Sequence, residues 1–221
     1  EKKKQKEEAM RQEAQAEVEA ERANGGVNNR YDAADLEKQG IDAICRSWNL
    51  ELVEMEPDGH CMYSAIADQL TSKKVSIDKE KKMSKKERKE EKWDYSIVRK
   101  IAADYMRNHM DDFLPYLPAE DVEGQGEGLL SPEGYMKHCD NVENTSEWGS
   151  QTELLALSKA LELPIWVIQS RSPTVKIGTE EAYGKKKSPL MVTYHRVQYG
   201  LGEHYNSARV MPRESGMVYL G

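Results

Sequence analysis

In PDGHCMYSAI (residues 57–66) a cysteine, Cys61, follows Asp58-Gly59-His60 and opens a run with Met62, Ala65, Ile66 and Leu70 at helical spacing. A thiol is a weak nucleophile until it loses its proton. A helix N-terminus favours the thiolate through its dipole and its free N–H groups, and the same groups can hold an oxyanion. Gly59 allows the sharp backbone entry such a turn demands. Read alone, the stretch also fits a buried structural thiol. A structural zinc site is disfavoured, because Cys45, Cys61 and Cys139 form no CxxC pair.

A cysteine nucleophile needs a base, and the chain has five histidines. His60 adjoins Cys61 and would point away if the thiol faces a cleft. His109 and His138 fall on helical patterns with no evident orienting partner, and His195 ends a strand pattern. His204 lies in GLGEHYNSA. If His204-Tyr205-Asn206 is extended, His204 and Asn206 share one face of a strand. Asn206 can then accept from one ring nitrogen and hold the other toward Cys61, the nucleophile–base–orienter arrangement of thiol hydrolases. A structural role for His204 stays open on these residues alone.

The elements that must position these groups follow from periodicity. Residues 1–23 read as a charged, solvated helix stopped by Asn24-Gly25-Gly26, and 32–48 as a first domain helix. LELVEM (50–55) alternates like a strand leading into the cysteine turn. After it comes an amphipathic helix around Ile97, Val98, Ile101, Tyr105 and Met106, closing at DDFLPYLP. Ser131-Pro132 starts another helix, and Ser150 with Glu153 forms a capping box ahead of QTELLALSKALEL. PIWVIQS (164–170) and PLMVTYHR (189–196) read as core strands, joined by a solvated connection through Lys185-Lys186-Lys187. Helices between non-adjacent strands predict an α+β fold with one mixed or antiparallel sheet.

Charge is unevenly placed. Residues 1–30 carry seven basic and seven acidic side chains, and residues 73–92 ten and five, with a candidate capping box at Ser84 and Glu87. Taking both from totals of 32 and 39 leaves 15 basic against 27 acidic, an acidic body with a Lys-rich insert. Such a body disfavours nucleic acid as its direct ligand and favours a basic partner. GQGEG within residues 118–130 is no phosphate loop, because no strand feeds it and its carboxylates would repel phosphate. No apolar run suggests a signal peptide or membrane span. Three scattered cysteines suit a reducing, cytoplasmic setting. A first residue that is Glu rather than Met predicts a piece of a longer protein.

PDGHCMYSAI, EWGSQTEL and GLGEHYNS, in that order, resemble the three signature blocks of the ovarian-tumour (OTU) family of cysteine deubiquitinases, over roughly residues 32–210. The likeness is greatest to the branch with a charged N-terminal helix and a GLGEHYNS ending. The insert at 73–92 is longer and more basic than the family pattern requires, and residues 211–221 run past its last block. The resemblance implies a papain-like OTU fold with a mostly antiparallel central sheet between helical regions. It divides the chain into a helical extension (1–30) and a catalytic domain (31–221). It implies Cys61 as nucleophile, His204 as base and Asn206 as its orienter. Asp58 matches the family's motif aspartate and is counted with the catalytic residues, its physical job being to shape the turn and oxyanion hole, to which Gly59 and His60 also contribute. Trp148 and Glu153 would be scaffold, Trp148 by packing and Glu153 by capping. The implied activity is hydrolysis of the isopeptide bond after ubiquitin's terminal glycine, with ubiquitin and ubiquitinated proteins as partners and no metal or organic cofactor. The same branch suggests the translation machinery, the small ribosomal subunit or its RNA, as a partner of residues 1–23 and 73–92. A contrasting reading makes the protein a ribonucleoprotein-binding module in which catalysis is secondary.

Overall fold

A computed structural model describes residues 27–75, 92–117, 130–178, 183, 187–200 and 202–212. The charged segment 1–23, the candidate capping box at Ser84 and the acidic stretch 118–129 lie outside them. Helix α1 (Val27–Ser47) leads into strand β1 (Leu50–Val53), and helix α2 (Cys61–Ser72) follows. Helix α3 (Tyr95–Asn108), the short α4 (Met110–Phe113) and a 3-10 turn (Leu114–Tyr116) come next, then α5 (Pro132–Asn144) and α6 (Gln151–Leu161). Strands β2 (Ile165–Gln169), β3 (Val175–Ile177), β4 (Leu190–His195) and β5 (His204–Val210) complete the domain.

The five strands form one sheet in the order β1-β5-β4-β2-β3. Only β2 and β4 run parallel; the other three pairings are antiparallel. The expected α+β fold with a mostly antiparallel sheet is what the chain adopts. Strand alternation puts two cores on opposite faces. Ile165, Val167, Leu190 and Val192 face α2, α3 and α6, where they meet Met62, Ile66, Leu70, Leu154 and Leu157. Ile168 and Met191 face the other way, onto Ile41 and Cys45 of α1. Glu37, Ile41 and Cys45 recur every fourth residue and form the buried stripe of that helix.

Two elements differ from the sequence pattern. Helix α1 begins at Val27 rather than 32 and runs through the 30/31 boundary. The connection before β4 is more than a solvated link: β3 pairs antiparallel with β2 at the sheet edge, and Lys176 sits 4.5 Å over the Trp166 ring. Three residues with a central lysine carry too little alternation to signal a strand.

One polar side chain sets the helix of Cys61 against the strand of His204. Gln69, 1% exposed, donates from Nε2 to Ser207 Oγ and to the Ala208 carbonyl, each at 2.8 Å, and its Oε1 accepts the Met191 N–H at 3.0 Å. Asp68, one residue earlier, pairs with Arg209 of the same strand. Both donors and the acceptor of the buried amide are therefore satisfied, as its burial demands.

Candidate active site

The turn before α2 is closed by Asp58. Its Oδ1 accepts the His60 N–H at 2.8 Å, and its carbonyl accepts the Cys61 N–H at 3.3 Å. The Asp58 N–H itself donates to the Glu56 carbonyl, while the Gly59 N–H has no hydrogen-bond partner among the described residues. Gly59 is needed here for space rather than for an unusual backbone angle. A Cβ on it would lie 1.8 Å from the Ser146 carbonyl oxygen, so the loop before α6 backs directly onto the turn.

Arg99 of α3 locks that contact. Its guanidinium, 1% exposed, donates to the carbonyls of Gly59 (2.6 Å), Glu147 (2.7 Å) and Val142 (2.8 Å), and from Nε to His60 Nδ1 (3.0 Å). Its charge also lies 4.0 Å from the centre of the Tyr63 ring. His60 is thus turned away from the thiol, held by Arg99 and stacked on Tyr95 at 4.2 Å. Arg99→Met should lower unfolding free energy by roughly 3 kcal/mol, because one buried and two part-buried carbonyls lose their partner at once. A denaturant midpoint within error of the parent would contradict this.

The Cys61 thiol is buried, and burial raises its pKa above the ordinary value of 9.0. The backbone N–H groups of Tyr205, Met62 and Cys61 act the other way on the thiol, but desolvation prevails. The helix start alone therefore leaves a thiol, not the thiolate its position suggested. Asp68 and Gln69 hold the helix that Cys61 opens against β5, the strand of His204.

His204 and Asn206 share a strand face and are joined by a 2.8 Å hydrogen bond from His204 Nε2 to Asn206 Oδ1. The same oxygen accepts the Met55 N–H at 2.8 Å, which fixes the direction of the amide. Burial lowers the His204 pKa below 6.5; the Asn206 hydrogen bond, Asp58, Glu54 and the Met55 carbonyl oppose it. At neutral pH the resting pair is neutral thiol and neutral imidazole.

Behind Asn206 stands a layer with no local signal in the sequence. Asn206 Nδ2 donates to the Tyr199 hydroxyl oxygen at 2.8 Å and faces His195 Nε2 at 3.3 Å. The Tyr199 ring packs 4.1 Å from the ring of His204. His195 Nδ1 donates to Gln198 Oε1 at 2.7 Å, so its Nε2 is an acceptor, shared with the Thr193 hydroxyl at 2.9 Å. Burial pushes the His195 pKa down to about 4, which keeps this histidine neutral.

The third sequence block behaves unevenly. Glu153, 1% exposed, completes the capping box: its Oε2 accepts from the Ser150 N–H and hydroxyl, both at 2.6 Å, and Oε1 faces His138 Nε2 at 3.1 Å. Trp148 differs from the packed scaffold expected of it, being 46% exposed. It is the neighbouring Gly149 that packs, since a Cβ there would lie 2.1 Å from the Met62 methyl. The Trp148 indole instead comes to the loop before His204, where its tip lies 4.0 Å from the position of a Cβ on Gly202. Among the described residues no three His, Cys, Asp or Glu side chains cluster as a metal site, and no helix is long and apolar enough to cross a membrane.

A helix-start cysteine on a helix packed against a His–Asn strand, on an α+β scaffold, is an arrangement that could serve thiol hydrolysis. Residues 56–205 match the model of the family described as OTU-like cysteine protease, and the chain belongs to that family. The human protein named Deubiquitinase OTUD6B is 37% identical over 201 residues, covering 89% of this chain and 60% of the relative. Saccharomyces cerevisiae OTU domain-containing protein 2 is 30% identical over 181 residues, covering 82% of this chain and 52% of the relative. The chain thus spans about half to three-fifths of the length of these curated relatives. Among solved structures, the OTU domain of OTUD1 superposes with a TM-score of 0.52 at 17% identity, over 78% of this chain and 93% of that one, and the fold is shared.

Proposed function

We propose that the protein is a thiol-dependent deubiquitinase using Cys61, His204 and Asn206. The observation that carries the reading is the His204–Asn206 hydrogen bond on a strand that Asp68 and Gln69 hold against the helix Cys61 opens. In the proposed cycle, the His204 nitrogen not bonded to Asn206, Nδ1, takes the thiol proton as Sγ attacks the isopeptide carbonyl. The proton then passes to the departing lysine amine, leaving a thioester to ubiquitin's terminal glycine. Water, deprotonated by His204, cleaves that thioester and restores the thiol. Backbone N–H groups of the Asp58–Cys61 turn, the Gly59 N–H (unbonded within the described residues) first among them, are the oxyanion donors in this scheme, and Asp58 shapes the turn that presents them. Support for ubiquitin as substrate comes from the family and from the activity named for the human relative. The acidic body suits ubiquitin's arginine-containing tail. Three free cysteines are in keeping with a cytoplasmic setting.

The pH profile tests the base. His204 must be neutral to accept the thiol proton, and its pKa lies below 6.5. Activity therefore falls as pH drops through the folded-state pKa, so the acid limb of kcat/KM should lie on the acid side of an ordinary histidine's. In the unliganded protein, alkylation of Cys61 by iodoacetamide should keep rising beyond pH 9.0, because the thiol is raised above that value. An acid limb above pH 7 would contradict the assignment.

The whole reading is tested on a panel of diubiquitins, with and without ribosomes. Cleavage of at least one linkage is expected; intact dimers throughout would remove the activity. The ribosome contact is supported by charge: residues 73–92 hold ten basic against five acidic side chains on an acidic body. Replacing Lys81, Lys82, Lys85, Lys86 and Lys89 by Ser should weaken salt-sensitive co-sedimentation and leave diubiquitin cleavage unchanged. Co-sedimentation equal to the parent's across a salt series would end the docking role.

A further inference from the structure

Helix α1 lies upstream of the segment that matches the family model, yet it reaches the site through one buried carboxylate. Glu37, 8% exposed, receives three consecutive backbone N–H groups from the far end of the chain: Arg196 to Oε1 at 2.8 Å, Val197 to Oε2 at 3.0 Å and Gln198 to Oε2 at 2.9 Å. These groups follow the end of β4 and have no place in a strand ladder. A single carboxylate thus fixes the whole turn. The turn carries two side chains that act on Asn206. Gln198 accepts from His195 Nδ1, leaving His195 Nε2 as an acceptor facing the Asn206 amide. Tyr199 places its hydroxyl on Asn206 Nδ2 and its ring against His204. Every Asn206 amide hydrogen bond to a side chain behind it comes from this turn or from the histidine the turn orients.

We infer that Glu37 is a positioning residue for the reaction: through the 196–199 turn it fixes the Asn206 amide and, through Asn206, the ring of His204. The inference rests on the catalytic reading of Cys61, His204 and Asn206. It makes α1 part of the active-site apparatus, not an appendage to it. Glu37→Gln keeps the volume but replaces one acceptor oxygen with an NH₂ that opposes the turn's N–H groups. Tyr199→Phe removes the hydroxyl and keeps the ring on His204. Neither residue is expected to bind the substrate, so the loss should fall on turnover.

The test measures kcat and KM for diubiquitin in Glu37→Gln, Tyr199→Phe and the double variant, well below each melting temperature. It also records the imidazole N–H resonance of His204 in ¹⁵N-labelled protein. Each single variant should lower kcat by about tenfold with KM unchanged, the scale seen when hydrogen-bond partners orienting metal-binding histidines are lost. The double variant should lose less than the product of the two, since both act on one amide. The hydrogen-bonded His204 N–H signal, present in the parent, should exchange faster in both single variants. Parental kcat and an unchanged His204 signal in Glu37→Gln would overturn the inference, as would a loss confined to KM or to melting temperature. A parent that cleaves no diubiquitin defeats the catalytic reading instead, and the His204 signal still reports on the positioning.

Discussion

Cys61→Ala should lose ubiquitin-chain cleavage by about 10⁴-fold or more, the scale of removing a nucleophile that acts as a unit with its base. The contrast lies with the two other cysteines. Cys45 is 4% exposed between α1 and the sheet, and burial pushes its pKa to about 11. Cys139 is fully buried on α5 against Tyr135 and Met106, and burial raises its pKa too. Neither stands at a helix start or beside a His–Asn pair. Cys45→Ala and Cys139→Ala should therefore keep kcat and cost on the order of 1 kcal/mol of stability. Initial rates on diubiquitin, with circular dichroism to confirm folding, decide the matter. Parental turnover in Cys61→Ala would remove the enzyme reading.

The second large effect belongs to His204. His204→Ala removes the group that moves the proton in both halves of the proposed cycle, and a loss of about 10²–10⁴-fold is expected. Asn206→Ala should lose less, because the imidazole remains and only its orientation relaxes. That variant also strips partners from the Met55 N–H, the Tyr199 hydroxyl and His195. Its stability will fall as well, so rates must be compared at a temperature where both variants are folded. His195→Ala acts one layer further back and should cost less still. An inactive His195→Ala beside an active His204→Ala would reverse the assignment of the base.

The local parts of this site were legible in the sequence because their physics is local. A cysteine after Asp-Gly-His and before a helical pattern announces its helix start. Ser150 and Glu153 announce their capping box, and two residues apart on an extended run place His204 and Asn206 on one face. The strands at 165–169 and 190–195 show as apolar runs for the same reason. What stayed hidden depends on distance along the chain. Glu37 meets its N–H donors 159 to 161 residues away, and Arg99 meets the Gly59 carbonyl across 40. No periodicity or spacing marks such pairs, and an arginine in an amphipathic helix reads as a surface residue until its carbonyl partners are in view. Trp148 misled in the opposite sense: a large aromatic beside a motif glycine suggests packing, but the glycine supplies the contact and the indole stands half in solvent. The thiol's environment was also beyond reach, because its pKa follows from tertiary burial outweighing the helix-start N–H groups.

The most direct measurement is incubation of the parent chain with ubiquitin carrying a C-terminal electrophile, followed by intact mass and peptide mapping. The account predicts one ubiquitin per chain, attached through Cys61, with adduct formation lost in Cys61→Ala and slowed in His204→Ala. An adduct on Cys45 or Cys139, or no adduct while the protein is folded, would contradict it.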